Sequence, residues 1–159
     1  EVSKIYKKNK KVFIKLNKKL PKYIQSFPIN KGQITEAILS NNDNLKKIIK
    51  IIHKEIRKKM KLFLKKNKDK KIVILDIPLL LENKINNKKD ILVFVDSKKK
   101  DIEKRLKKRQ NFNSELFNQF KKNQISVYYK KKISHYIIKN DFTKKSVKKG
   151  IKNILNAIL

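Results

Sequence analysis

The chain has 159 residues, with 45 Lys or Arg against 13 Asp or Glu, and its formal net charge is +32. This length suits one domain, and the absence of Cys excludes disulfides, thiol nucleophiles and thiolate metal sites. No apolar run approaches the roughly 20 residues that a membrane span requires, so we expect no membrane partner and a cytoplasmic monomer.

The high charge by itself favours a polyanion as partner. Only Arg57, Arg105 and Arg109 are Arg, however, whereas planar recognition of phosphates and base edges tends to use Arg. Ile, Asn and Lys are abundant together, a bias expected of AT-rich codons. We therefore interpret most of the charge as codon bias and expect no nucleic-acid binding beyond non-specific attraction. A small basic RNA- or ribosome-associated protein is the alternative, supported by the charge and by Tyr128 and Tyr129 among lysines.

The amino-terminal part is predicted to be helical. Residues 1–9 carry apolar side chains at helical spacing, and the segment 34–44 indicates a short helix that ends near Ser40. Between them, residues 12–32 contain two prolines and a glycine, which indicates short elements joined by turns.

One long amphipathic helix is predicted from Asp43 to about Asn67. Apolar residues recur there every three to four positions from Leu45 to Phe63. Asp43 or Asn44 is the predicted amino-terminal cap, because both side chains accept hydrogen bonds from free backbone N–H groups.

Three apolar runs then predict strands that are buried on both faces of a parallel sheet: "IVILDI" (72–77), "ILVFVD" (91–96) and "YIIKN" (136–140). The segments 99–110, 114–133 and 146–159 are predicted helices. Strands that alternate with helices predict an α/β fold with a parallel sheet and right-handed crossovers.

Polar side chains at the carboxyl ends of these strands are the first site candidates, because ligands bind there in open α/β sheets. Asp76, Asp96 and Asn140 occupy such ends. Asp76 suits the magnesium ion of a nucleotide or its water shell, although a carboxylate capping the next turn is the alternative. Pro78 forces the chain to turn after Ile77.

The segment "VILDIPLLLENK" (73–84) closely resembles the Asp-Ile-Pro-Leu-Leu-Phe-Glu signature of dephospho-coenzyme A kinases. "LKKIIKIIHKEI" (45–56) is similar to the family's helix ending in Leu-His-Pro, with His53 at the histidine and Lys54 replacing the proline. "INKGQITEAIL" (29–39) is a looser match to an Asp-Gly-x-Leu-Asp-Arg turn.

Two further blocks follow in the family's order. "ILVFVDSKKKDIEKRLKKRQNF" (91–112) resembles its strand and Arg-Leu-x-x-Arg lid helix, which matches Arg105 and Arg109 and puts both on one helical face. "NQISVYYKKKISHYIIKND" (123–141) resembles a helix running from Gln to Lys that leads to an Ala-Asp-Tyr-Val-Ile-x-Asn strand. Lys130 and Asn140 match in this block, whereas His135 replaces the aspartate.

This resemblance implies a three-layer, P-loop kinase-like parallel sheet in one domain over 1–159. A helical substrate-binding part would cover 10–66 and a lid region 97–132. The family carries a phosphate-binding loop, G-x-x-x-x-G-K-S/T, at its amino terminus. Gly32 and Gly150 are the only glycines here, so the chain cannot contain that loop. We expect a chain that begins partway through a longer protein, lacks the first strand and is inactive alone.

The activity implied is transfer of the ATP γ-phosphoryl group to the ribose 3′-hydroxyl of dephospho-coenzyme A, with ATP and Mg²⁺ required and the magnesium ligand lying in the absent loop. The alternative is a non-catalytic relative that binds coenzyme A-like ligands. No metal site built from this chain's own side chains is expected.

The resemblance assigns three groups of site residues. The catalytic group is Asp76, Arg105 and Arg109, and the ATP-binding group is Asn140, Asp141 and Arg109. The groups expected near dephospho-coenzyme A are His53, Pro78, Leu79, Leu80, Glu82 and Lys130. Each has a structural alternative: solvated surface charge for the arginines, a packing role for His53 and the leucines, anchoring of the loop for Glu82, and helix capping for Asn140.

Overall fold

A computed structural model describes residues 1–110 and 112–159. These residues form two compact units, Glu1–Asp76 and Ile77–Leu159, which are described separately. The single domain over 1–159, with its substrate-binding part and lid, stays a prediction.

The first unit consists of four helices: α1 (Val2–Lys8), α2 (Lys10–Lys19), α3 (Lys31–Ser40) and α4 (Asn42–Lys66). Each buries one apolar stripe, in which Ile5, Leu16, Ile38 and Ile48 are at most 4% exposed. This pattern is typical of surface helices packed around a shared core. The helices predicted in residues 1–9, 34–44 and 43–67 are therefore confirmed.

The predicted cap of α4 is wrong. Asn41 is the cap, since its backbone is extended and its Oδ1 accepts a hydrogen bond from the N–H of Asp43 at 2.8 Å. Asn44 is buried instead, and its Nδ2 donates to the carbonyl oxygen of Ala37 at 3.0 Å. Residues 41–44 are all Asn or Asp and can all cap a helix, so only the packing of α3 against α4 selects one.

The predicted strand over 72–77 is also wrong. This segment follows α4 without forming a strand, and Ile74 is 82% exposed. A strand requires backbone hydrogen bonds to a neighbouring strand, and within residues 1–110 and 112–159 no strand pairs with this segment. Asp76 therefore does not end a strand in the structure.

The second unit contains both strands of the described sheet. Its elements are β1 (Val93–Asp96), α5 (Lys99–Lys107), α6 (Ser114–Lys122), α7 (Val127–Ile133), β2 (Tyr136–Lys139) and α8 (Lys144–Ile158). The strands predicted at 91–96 and 136–140 are confirmed, as are the helices at 99–110 and 146–159. The stretch predicted as helical at 114–133 divides into two helices, because Ser126 caps α7 by accepting a hydrogen bond from Tyr129 N at 3.2 Å.

β1 and β2 are parallel, with Val93 opposite Tyr136 and Asp96 opposite Lys139. This confirms an α/β fold with a parallel sheet. α8 packs on β2 at Gly150, where an added Cβ would lie 3.0 Å from Cγ2 of the buried Ile138. Burial on both faces was predicted wrongly for both strands, because Val93 of β1 is 42% exposed and Ile137 of β2 is 46% exposed. A sheet of two strands with α8 packed on β2 leaves these apolar side chains in solvent.

No helix in the two described ranges combines the length and the apolar character that a membrane crossing requires.

Candidate functional site at the carboxyl ends of the strands

The carboxyl ends of β1 and β2 bring two predicted site residues together. Asp96 is the last residue of β1, Asn140 directly follows β2, and the N–H of Asn140 donates to the backbone oxygen of Asp96 at 2.7 Å. The Asp96 carboxylate pairs with Lys131 of α7 at 2.6 Å. Nothing in the sequence distinguishes Lys131 from its neighbours Lys130 and Lys132, so its pairing with Asp96 was not predicted.

The turn after β2 has a defined side-chain structure. Asn140 Oδ1 accepts a hydrogen bond from the N–H of Phe142 at 2.9 Å, and Phe142 has a φ of 66°. Asp141 Oδ1 accepts hydrogen bonds from the N–H and the hydroxyl of Thr143, at 2.9 and 2.7 Å, and from the hydroxyl of Ser146. Thr143 caps α8. The turn is thus formed by the same residues that begin the last helix.

These hydrogen bonds stabilise the ionised form of Asp141. Donation from Ser146, and then from Thr143, lowers the pKa of the Asp141 carboxyl to about 2. Asp141, which was predicted to bind ATP, is therefore held as an anion. Its hydrogen bonds to Thr143 and Ser146 are those of a helix cap.

Arg105 reaches this turn from α5. Its guanidinium carbon lies 4.4 Å from the ring centroid of Phe142, a cation–π distance. One of the two predicted lid arginines is therefore placed beside Asn140 and Asp141. Phe142 was missed because a single aromatic residue in a turn gives no periodic signal.

The prediction that Arg105 and Arg109 share one helical face is wrong. α5 ends at Lys107, and Arg109 lies in the following turn, where its N–H donates to the carbonyl oxygen of Leu106 at 3.0 Å. No residue of α5 is fully buried, so little apolar burial favours a longer helix. Both guanidinium groups are exposed.

The loop that carries the Asp-Ile-Pro-Leu-Leu signature is strongly bent. Leu79 and Lys84 have positive φ values of 57° and 48°. Between them, Asn83 donates to the carbonyl oxygen of Leu79 from its backbone N–H at 3.2 Å and from Nδ2 at 2.7 Å. Leu79 and Leu80 are half-buried, whereas Pro78 is exposed. The loop is thus closed by its own polar contacts.

Glu82 anchors this loop to the segment around α7. Its Oε1 lies 2.6 Å from Nζ of Lys130 and accepts a hydrogen bond from the N–H of Ile125 at 3.1 Å. The side chains of the pair are only 9% and 17% exposed. Burial raises the pKa of Glu82, but the hydrogen bonds from Lys130 and the backbone outweigh it, so the pKa is lowered overall. Lys130 thus faces a carboxylate, and its contact with a substrate phosphate stays a prediction.

His53 and Asp76 belong to the first unit. His53 is half-buried within α4, and Asp76 is exposed at the last position of the unit. Their roles toward substrate stay predictions.

Among residues 1–110 and 112–159, no three His, Asp or Glu side chains group closely enough to hold a metal ion. Asp76 offers one exposed carboxylate, whereas Mg²⁺ takes an octahedral set of oxygen ligands that usually includes waters and substrate phosphates.

His135 has a contact that its sequence did not reveal. The imidazole Nδ1 of His135 accepts a hydrogen bond from the backbone N–H of Leu92 at 2.9 Å, and the backbone N–H of His135 donates to the carbonyl oxygen of Leu92 at 2.9 Å. The side chain therefore continues the β1–β2 pairing at its amino-terminal end.

Comparison with known proteins gives a consistent result. The profile of the dephospho-CoA kinase (CoaE) family matches residues 3–146. A dephospho-CoA kinase of Wolbachia pipientis wMel is 28% identical over 159 residues, which cover 99% of this chain and 81% of that protein. A dephospho-CoA kinase of Bartonella henselae is 30% identical over 139 residues, which cover 86% and 71%.

A third relative, a dephospho-CoA kinase of Fusobacterium nucleatum, is 28% identical over 130 residues, which cover 82% of this chain and 67% of that protein. The family profile spans α1, both strands and the start of α8, and it includes every residue of the turn after β2. The chain belongs to the dephospho-CoA kinase family.

Proposed function

We propose that the protein takes part in coenzyme A biosynthesis by transferring the γ-phosphoryl group of ATP to the ribose 3′-hydroxyl of dephospho-coenzyme A. One observation carries this proposal beyond family membership. Arg105 lies against the turn formed by Asn140 and Asp141, at the carboxyl end of the parallel strands. This is the edge of an α/β sheet at which nucleotides bind.

Phosphoryl transfer depends mainly on positioning and on stabilisation of charge. In the proposal, Arg105 and Arg109 neutralise the phosphates of ATP, and Asn140 with the Asp141 turn borders the adenosine. Asp76 acts near the transferred phosphoryl group. ATP with Mg²⁺ is the required donor, and the described side chains supply no complete ligand set for the ion.

The loop 78–84 borders dephospho-coenzyme A in this proposal, with Pro78, Leu79 and Leu80 toward the acceptor. Glu82 and Lys130 hold the loop through their buried ion pair. His53 contributes from α4. In this proposal Lys130 pairs with Glu82 and also approaches a phosphate of the substrate.

The 159 residues alone are proposed to be inactive, because two glycines cannot supply the phosphate-binding loop. The test compares the chain with a hybrid in which the residues of the Wolbachia pipientis wMel relative that precede the aligned region are joined before Glu1. ATP-dependent formation of coenzyme A from dephospho-coenzyme A is measured for both.

We expect turnover by the hybrid only, reduced at least about tenfold by Arg105→Gln or Arg109→Gln, since removing a charged contact to a transferring phosphate costs more than about 1.4 kcal/mol. A folded hybrid that binds ATP without turnover would support the non-catalytic alternative. Turnover by the 159-residue chain itself would show that the missing-loop argument is wrong.

A further inference from the structure

Phe142 adopts a backbone conformation that bulky residues rarely take. Its φ is 66°, and the Asx turn of Asn140 together with the cap of α8 holds it there. Strained residues of this kind persist only where the surroundings enforce them, and they concentrate at functional sites. The ring is nevertheless 40% exposed, so a large part of its apolar surface stays in solvent.

The ring instead carries the guanidinium of Arg105, 4.4 Å from its centroid. A cation–π contact attracts a guanidinium to the ring without engaging its five N–H donors in hydrogen bonds to a carboxylate. A carboxylate partner would occupy those donors and neutralise the charge. An aromatic partner therefore fixes the position of the arginine while leaving its donors available for an anion.

We propose that Phe142 is a positioning residue that holds the Arg105 guanidinium with its donors free for a phosphate of ATP. This inference rests on the proposed function and adds a residue to which neither a sequence motif nor the family resemblance assigned a role. Phe142 acts through Arg105, so its substitution changes ATP binding only when Arg105 is present.

The contact is tested first, without ligand. The chain contains five Tyr and no Trp, so Phe142→Trp introduces a single tryptophan, whose fluorescence can be excited selectively over that of tyrosine. Arg105→Gln in that background should increase acrylamide quenching about twofold, because the cation no longer covers the ring. The matched control Arg109→Gln should leave quenching unchanged. Equal quenching in both variants overturns the proposal.

The role is tested by the MgATP affinity of the hybrid that carries the phosphate-binding loop. Equilibrium dialysis measures this affinity in KCl at about 150 mM, on the order of physiological ionic strength, which screens the surface lysines. Phe142→Leu should weaken binding about threefold and Phe142→Trp should preserve it, because only the aromatic ring supplies the cation–π attraction. A φ of 66° is strained for Leu and for Trp alike, so a difference in affinity between the two variants reflects the aromatic ring and not the backbone.

The decisive measurement is non-additivity. In an Arg105→Gln background, Phe142→Leu should have no further effect on MgATP affinity. A persistent effect there would show that Phe142 acts independently and would overturn the proposal. If the hybrid does not bind MgATP, the proposed function fails, whereas the quenching experiment on the 159-residue chain still decides whether Phe142 holds the Arg105 guanidinium.

Discussion

At the scale of single residues, His135 stands where the family resemblance places an aspartate, and its imidazole accepts a backbone hydrogen bond. The imidazole Nδ1 and a carboxylate oxygen stand the same number of bonds from Cβ, and both accept hydrogen bonds. The N–H of Leu92 donates to this nitrogen at 2.9 Å. We therefore expect that the position requires a hydrogen-bond acceptor and not a charge.

His135→Asp is expected to retain the free energy of unfolding, whereas His135→Leu should lower it by about 1 kcal/mol, the usual net contribution of one hydrogen bond. Urea unfolding of the three proteins measures the difference. Equal losses in both variants would mean that the imidazole contributes through packing.

Asp141 predicts a pH dependence. Its pKa of about 2 in the folded protein lies below the ordinary value of 3.8 for an aspartate, so its contribution to stability is fully present above about pH 4. That contribution is lost as the pH falls from 3.8 toward 2, because the unfolded state binds the proton more readily. Asp141→Asn should therefore reduce the drop in Tm between pH 5 and pH 2.5. Asp69→Asn, at an exposed position, is the control and should leave the drop unchanged.

At the scale of elements, α7 connects two parts of the second unit through adjacent lysines. Lys130 pairs with Glu82 of the bent loop, and Lys131 pairs with Asp96 at the end of β1. The two distances are both 2.6 Å, but the Lys130 side chain is 17% exposed and the Lys131 side chain 38%. Substituting Lys130 and Lys131 one at a time therefore tests how burial changes the contribution of an ion pair to stability.

Lys130→Met should lower the free energy of unfolding by about 3 kcal/mol, because it leaves a buried carboxylate without its partner. Lys131→Met should cost less than about 1 kcal/mol, since exposed ion pairs contribute little. Chemical denaturation measures both. Adding Glu82→Gln to Lys130→Met should recover part of the loss, and equal costs for the two lysines would contradict the role of burial.

The segments 72–77, 91–96 and 136–140 show how far an element can be predicted. All three have the composition of buried strands, and two of them pair. The third does not form a strand in the described residues, since composition indicates that a segment favours a sheet but not that a partner strand lies beside it. Helices depend on local contacts and were predicted more accurately, apart from their exact ends.

At the scale of the whole molecule, the net charge of +32 attracts any polyanion. Long-range attraction of this kind is sequence-independent and is screened by salt. It therefore needs to be separated from the specific site that Arg105 and the turn after β2 form.

Binding of a fluorescein-labelled RNA 20-mer should weaken by at least about 10³-fold between 50 and 200 mM salt, as expected when six or more phosphates are contacted non-specifically. Fluorescence anisotropy measures this dependence with several unrelated RNA sequences. An affinity that persists at 200 mM and differs between sequences would favour the RNA-associated alternative.

The sequence by itself determined the family, the helical periodicity and the identity of the candidate site residues, because these depend on residue type and on neighbours along the chain. The tertiary structure decided which of them meet. Glu82 and Ile125 lie 43 residues apart, as do Leu92 and His135, and Asp96 and Lys131 lie 35 apart. Such contacts form only when packed elements bring distant residues together, and for that reason the anchoring of the loop and the pairing of Arg105 with Phe142 were visible only in the fold.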